Sequence, residues 1–419
     1  MKKIVFVTDV RFWRCRTGAH QRINSLVRYL MNRGDEVTIL FAAPLSNGES
    51  PDDSETNYDS TAIRKAGLKV ISLVDDWSPS GLVQKIQWQG KCILNALSPS
   101  DSKANSKTES KSSSATLESL KTFEFVSRTD DLLKQLNPDV VIVEYVTLAY
   151  LLPPKTSRGF ITVLDSHDLL SSRNRQFQEA GYTHWLEISS EEEFAVFQSF
   201  DCVLAIQEHE AETIRNQTTN VDVVVCGHPV AGTNSATPPR DSRSEFAVGY
   251  FASNNPANRD ALLWLLDSIW PIVMQHDTEI RLVLAGTVCR GLDPKQLLAS
   301  VQLLGLVDSV NEFYDQVDTV LNPTRLGTGL KIKTIEAVQF GLPLISTTHG
   351  VEAITVRNAK SAPWKTADTT DDFAAAIMKL ASSNDVCQTL TANAREFAQQ
   401  LSPDNVYGEL MRYLDSTKT

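Results

Sequence analysis

The 419-residue sequence lacks any long apolar run: ALLWLL, at 261–266, falls far short of the roughly 20 residues a membrane-crossing helix needs. It also lacks paired cysteines. The six cysteines, at 15, 92, 202, 226, 289 and 387, include no CxxC spacing. That argues against a zinc site and a disulfide framework and fits a reducing compartment. Excess positive charge is missing too, since the formal net charge of −11 argues against general nucleic-acid binding. The opening MKKIVFVTDV imitates a secretion signal, with lysines before apolar residues, but Asp9 and Arg11 interrupt it and no small-residue cleavage site follows. It is read as a first β-strand, and a cytoplasmic protein is expected.

What is present is an alternating pattern. Hydrophobic residues make up 42% of the chain, enough for two cores of ordinary size. Ile4–Thr8 reads as a strand, residues 19–34 as a helix stopped by Gly34, and 36–44 as the next strand. Strand–helix–strand in this rhythm predicts a parallel sheet. It resumes with strands at 139–146, 160–165, 202–207 and 221–225, then at 246–253, 279–286, 318–323 and 342–347. The stretches 46–60 and 98–114 hold almost no apolar residues, and the second is expected to be disordered. Trp77 and Trp88 lie between them in a segment read as a helical lid. Residues 227–244, rich in Pro, Gly and Ser, read as a linker. The expected organisation is α/β throughout: a Rossmann-like domain over 1–230, a second over 241–395, the two facing across a cleft, and a helical segment over 396–419 able to pack onto either.

In open parallel sheets, ligands collect outside the carboxyl ends of the strands. Gly18 follows the first strand, His167 follows FITVLDS, and GTGLK follows DTVLNP, so each falls at such an end. The segment NPTRLGTGLKIKTIEA (322–337) is the most informative. Gly327 and Gly329 would let backbone N–H groups approach a ligand, and a helix starting near Leu330 would offer unsatisfied N–H donors to a phosphate. Lys331 and Arg325 would add charge against a diphosphate. Glu336 has two acceptor oxygens suited to a ribose diol. Lys333, three residues before Glu336, could instead pair with it. A plain turn with a solvated charged face is the alternative for this set. Glu191–Glu193 reads as a solvated helix face. No metal site is expected, the nearest acidic pair being Asp75–Asp76 away from any strand end.

Residues 322–347 resemble the nucleotide-sugar loop of glycosyltransferase family 4, enzymes of the GT-B fold, in the subset carrying GxGxKxK. Residues 18–40, 191–215 and 254–273 are similar to other segments of that family. The resemblance implies a retaining, metal-independent transferase with no cofactor beyond its nucleotide-diphosphate sugar donor. It implies donor contacts at Gly18, Arg325, Gly327, Thr328, Gly329, Leu330, Lys333 and Glu336, and catalytic roles for His167 and Lys331. Where the family commonly has a first glutamate this chain has Thr328, so a contact to the donor sugar is altered. Asp165 and Asp168 flank His167 and could orient it, although Asp168 could equally cap a helix. Residues 1–33 hold eight Lys or Arg and one acid. Arg11, Trp13, Arg14, Arg16 and Arg22, with Phe12, are read as a basic edge facing a glycan or lipid-linked acceptor, with a peripheral membrane contact, or else as a solvated loop. Two other functions share the fold: a nucleotide-sugar epimerase, and a partner subunit without turnover.

Overall fold

The computed structural model describes residues 1–15, 17–43, 59–74, 114–230, 245–277, 279–307, 309–354 and 362–417. The polar stretches 46–60 and 98–114 lie outside these residues save for their last positions. Arg16, Asp75–Asp76, the Trp77–Trp88 segment and the linker from 231 onward lie outside them as well.

The strands in chain order are β1 (Lys3–Thr8), β2 (Glu36–Phe41), β3 (Lys69–Ser72), β4 (Ala115–Thr116), β5 (Val140–Glu144), β6 (Ile161–Asp165), β7 (Leu186–Glu187), β8 (Cys202–Ala205) and β9 (Asp222–Val225), followed by β10 (Phe246–Phe251), β11 (Ile280–Ala285), β12 (Val301–Gly305), β13 (Thr319–Asn322), β14 (Leu344–Ser346) and β15 (Trp364–Thr366). Seven of them form one sheet in the order β3-β2-β1-β5-β6-β8-β9, and six form another in the order β12-β11-β10-β13-β14-β15. All pairings are parallel, and β4 and β7 make a separate two-stranded pair. Central strands such as VVIVE in β5 are buried throughout, because helices cover both faces of a parallel sheet. The expected strands are all present. Five strands were not announced by the pattern: the two-residue β4 and β7, and β3, β12 and β15, which lie at sheet edges with partly exposed residues.

The chain divides into two compact units, each built on one sheet. The first runs to Gly227 and regains the chain from Tyr407; the second spans His228–Val406. The last helix, Pro403–Ser416, is held in the first unit by Tyr407 against Tyr29 (ring centroids 5.0 Å apart) and by Arg33 on Asp415 at 2.5 Å. The preceding helix, Asn384–Gln400, runs unbroken through the expected boundary at 395/396. In the charged run 191–193, Glu191 and Glu192 are exposed as expected, but the third glutamate is not. Glu193 is fully buried rather than solvated, and its carboxylate accepts from the backbone N–H of Leu170 (2.8 Å) and Ser171 (3.0 Å), at the start of helix Leu170–Glu179. A carboxylate there meets the unsatisfied donors and positive end of the helix.

Both sheets have a point where the strand order reverses. In the first, the chain leaves β1 toward β2 and β3, then returns to lay β5 on the other side of β1; in the second, β10 and β13 flank the reversal. Crevices open outside the carboxyl ends of such strands. The two places are therefore the loops after β1, β5 and β6, and the loops after β10 and β13.

Candidate functional site

In the second unit, the loop from Pro323 to Lys331 joins β13 to helix Ile332–Gln339, which begins two residues later than expected. Gly327 and Gly329 have φ of +94° and +74°, a region open to glycine at no steric cost. Lys331 curls back over its own loop, its Nζ donating to the carbonyls of Gly327 (2.8 Å), Thr328 (3.3 Å) and Gly329 (3.0 Å). These contacts draw the carbonyls of residues 327–329 to one side of the loop. His349, from the short helix Thr348–Val351, contacts the Gly327 carbonyl through Nε2 at 2.8 Å and Glu352 through Nδ1 at 3.1 Å.

The loop rests on a buried polar base. Asn322, fully buried at the end of β13, donates to Thr334 Oγ1 (2.9 Å) and the Gly350 carbonyl (3.1 Å) and accepts from Thr324 Oγ1 (2.6 Å). Gly350 is required there, since a Cβ would lie 2.2 Å from Ser346 Oγ and 2.7 Å from Asn322 Nδ2. Across the reversal, helix Pro256–Trp264 follows β10 and is capped by Asn255. Lys333 reaches over to it, donating to Asn258 Oδ1 (2.7 Å) and Thr324 Oγ1 (3.0 Å), with its ammonium 5.3 Å from the centre of the Tyr250 ring. Desolvation, with the Lys331 charge adding, pushes its ammonium down to about 7. Glu336 accepts from the Tyr314 hydroxyl at 2.8 Å, and burial pushes its carboxyl up to about 7 against the opposing pull of Tyr314 and Lys333.

Three expectations about this loop change. Lys333 and Glu336 do not form the i, i+3 pair; each has its own partner. Lys331 organises the loop's backbone instead of pointing freely outward. Arg325, expected against a diphosphate, forms a two-pronged ion pair with Asp260 (2.9 and 3.0 Å) and lies 4.6 Å from the centre of the Trp264 ring, so its charge is already met.

In the first unit, helix Gly18–Asn32 opens at Gly18 after the cap Thr17, whose hydroxyl accepts from His20 N–H at 3.3 Å. Gly18 thus stands at a helix N-terminus after β1, as expected. Two members of the expected basic edge turn inward, and Arg16 lies outside the described residues. Arg22 is buried, its guanidinium clamped on Asp165 (Nη2–Oδ1 2.7 Å) and donating to the carbonyls of Cys226 (2.7 Å) and Gly227 (2.8 Å). Trp13 is buried too, edge-on to Phe41 at 5.0 Å and Phe12 at 5.3 Å. Arg11 and Arg14 are half-buried, and the Arg11 guanidinium sits 5.2 Å from the centre of the Phe41 ring. A residue counted as cationic surface is here the counter-ion of a core carboxylate, and the aromatic is core packing.

His167 is buried at the end of β6 with φ of +61°. Its orienting partner is neither flanking aspartate. Asp165 is taken by Arg22 and accepts only the His167 backbone N–H, at 3.4 Å; Asp168 pairs with Arg173, while Leu169 occupies the helix cap position. The imidazole Nε2 instead lies 2.6 Å from Oε2 of Glu144, at the end of β5, and the ring stacks on Tyr145. Glu144, Asp165 and His167 bring ligand-type atoms within 4.8 Å of one another, a metal-like spacing the sequence did not announce. Asp165 is held by Arg22 and Glu144 Oε2 by His167 Nε2, while Glu144 Oε1 has no hydrogen-bond partner. Glu144, Tyr145, Asn258, Asn322 and His349 were not singled out from the sequence. The one usable signal was an acid closing the otherwise apolar strand VVIVE.

Comparison with known proteins gives a family match for one part of the chain and a fold for all of it. Residues 245–383 match the family described as Glycosyl transferases group 1. A curated relative, an uncharacterized 44.6 kDa protein in the cps region of Klebsiella pneumoniae, is 26% identical over 107 residues, covering 23% of this chain and 27% of that protein. The chain thus matches only about a quarter of that relative's length. Sucrose-phosphate synthase from Thermosynechococcus elongatus superposes with a TM-score of 0.67 at 16% identity, covering 100% of both chains. Alr3699/HepE from Anabaena, solved with UDP and glucose, superposes with a TM-score of 0.64 at 12% identity, also over 100% of both chains. At such identities the likeness shows the fold, and the fold is GT-B, with the glycosyl transferases group 1 match lying in the unit that carries the glycine loop.

Proposed function

We propose that the chain is a retaining hexosyltransferase. It would move a sugar from a nucleotide-diphosphate donor to a hydroxyl of a glycan or lipid-linked acceptor in cell-surface polysaccharide or glycoconjugate assembly. The observation that carries the reading is the loop Gly327–Leu330, with two glycines at positive φ and its carbonyls drawn together by Lys331, at the strand-order reversal of the unit with the family match. A pyrophosphoryl group is the ligand such a place would suit, because a glycine-rich loop leading into the N-terminus of helix Ile332–Gln339 favours spread negative charge. Lys333 lies beside it, and the Glu336 carboxyl offers oxygens to a ribose diol.

Breaking the bond between the anomeric carbon and the diphosphate builds negative charge on the leaving oxygen. Fixed N–H donors and lysine charge stabilise that charge without reorganising. Retention would let the departing phosphate oxygen take the acceptor's proton, so no strong protein base is called for. On this reading no metal or cofactor is needed besides the donor. His167, as the family resemblance implies, reaches the sugar, and Thr328 changes one sugar contact.

The first test is a thermal-shift panel of nucleotide sugars on the purified chain, led by UDP-glucose, which a solved relative of this fold binds. A ligand of the folded state raises the melting temperature according to its affinity. The expected result is a shift with one nucleoside diphosphate and its sugar, followed by release of the nucleoside diphosphate on adding acceptor. If every donor left the melting curve in place, the reading would fail.

A further inference from the structure

The glycines of the loop after β13 create a difficulty of their own. Glycine gives up more conformational freedom on folding than any other residue, so Gly327 and Gly329, at φ of +94° and +74°, leave this stretch many alternative shapes. The bonds from Lys331 Nζ reach back two to four positions along the same segment. They set the curl of the loop, but they travel with it. Where the curl sits has to be fixed from outside the segment.

The turn after β14 offers such a tie, because it is itself firmly anchored. Thr347 donates its N–H to the Asn322 carbonyl (3.1 Å) and its hydroxyl to the Thr324 carbonyl. The same hydroxyl caps the short helix Thr348–Val351, accepting from Gly350 N–H at 3.0 Å. Asp368, just beyond β15, accepts from the Thr348 N–H (2.7 Å) and hydroxyl (2.6 Å). The Gly350 carbonyl accepts from Asn322 Nδ2 and Thr334 Oγ1, each at 3.1 Å. The turn is thus bonded to the end of β13, to helix Ile332–Gln339 and to the segment after β15. From it His349 extends to the glycine loop, with Nε2 2.8 Å from the Gly327 carbonyl.

A carbonyl oxygen only accepts, so in this contact Nε2 carries the hydrogen. Nδ1 faces the Glu352 carboxylate at 3.1 Å, three residues on, which holds the ring in one rotation. A carbonyl has two lone pairs, so Gly327 can receive Nε2–H beside Lys331 Nζ, also at 2.8 Å. One donor belongs to the loop and the other to the anchored turn, and the carbonyl between them joins the two.

We propose that His349 is a positioning residue whose Nε2–H pins the glycine loop to the turn after β14, so that the loop meets its ligand already ordered. That this ligand is a pyrophosphoryl group rests on the transferase reading above; the pinning does not. A loop that must be ordered at the moment of binding loses affinity, and a tie made beforehand removes that loss. The gain is shared by ground state and transition state, so it shows in the donor KM and leaves kcat nearly unchanged.

His349→Gln and His349→Leu separate the hydrogen bond from the packing. Glutamine places an amide N–H close to where Nε2 stands, while leucine fills similar space and donates nothing. In the full-length protein labelled with nitrogen-15 glycine, the order parameters of the Gly327 and Gly329 amides should be about 0.85 in wild type and His349→Gln, and below about 0.6 in His349→Leu. Calorimetry with inorganic pyrophosphate should find His349→Gln within about twofold of wild type and His349→Leu about fivefold weaker, the share of one hydrogen bond. Glycines as ordered in His349→Leu as in wild type overturn the proposal. A glutamine variant as loose as the leucine one also overturns it, since loss of the ring and not of the donor would then be the cause. Should pyrophosphate bind no form of the protein, the transferase reading fails, and the order parameters still decide what His349 does.

Discussion

The two units share a topology and differ in what lies at its reversal point. In the second, the strand ends lead to a glycine loop whose carbonyls are held by Lys331, with Lys333 reaching across to Asn258. In the first, they lead to a buried network in which Arg22 holds Asp165 and Glu144 holds His167, with one Glu144 oxygen left unpartnered. Parallel strand order decides where each crevice opens; the residues following the strands decide whether it recognises an anion or aims a single imidazole. A cation at a strand end is therefore no guide to its task. Arg22 is a core counter-ion, Lys331 organises backbone, and Arg325 ties a loop to the helix Pro256–Trp264.

The strongest way to break this contrast is Arg22→Met. It leaves Asp165 buried without its partner, and losing one half of a buried pair costs about 3–5 kcal/mol. The melting temperature should fall by on the order of 10 °C. A variant that melted like wild type and lost acceptor binding would return Arg22 to a surface role. Next in size is Lys331→Ala, which frees the carbonyls of residues 327–329. Turnover should fall by roughly two orders of magnitude, as when one preorganised transition-state contact is removed. Transfer at the parent rate would detach the loop from the chemistry.

Glu336→Gln sharpens the second unit by its pH dependence. The folded carboxyl titrates at about 7 against 4.5 for the ordinary group, so the folded chain holds a proton the unfolded chain has lost. The stability this gives is complete below 4.5 and gone once pH rises through about 7. Denaturant titrations should show wild-type stability declining across that interval relative to Glu336→Gln; parallel curves would remove the argument for a desolvated carboxyl. Lys333, lowered to about 7 from 10.5, acts in the opposite sense, with stability recovering above pH 7. The smallest effect belongs to Arg325→Ala. Its ion pair with Asp260 is partly exposed and worth less than about 1 kcal/mol, and donor affinity should change less than about fivefold. A hundredfold loss of donor affinity would restore Arg325 to the diphosphate.

Much of the architecture could be read before any coordinates. The buried central strands announce themselves as short apolar runs between helical patterns, and the strand-to-helix glycines at 327 and 329 stand out because that backbone shape costs other residues energy. The edge strands β3, β12 and β15 were illegible because one side of each faces solvent and no apolar run forms. The partners of charged residues were illegible for another reason. Arg22 and Asp165 are separated by 143 positions and Lys333 and Asn258 by 75, so nothing local relates them.

The sequence by itself determined the two parallel-sheet units, the placement of Gly18, His167 and the glycine loop at strand ends, and the chemistry available there. These follow from periodicity and backbone propensity, which act over a few residues. Only the tertiary structure decided that Arg22 turns inward, that Glu144 rather than an aspartate holds His167, and that Lys331 folds over its own carbonyls. Such outcomes depend on which groups are desolvated together, and desolvation is a property of the packed molecule.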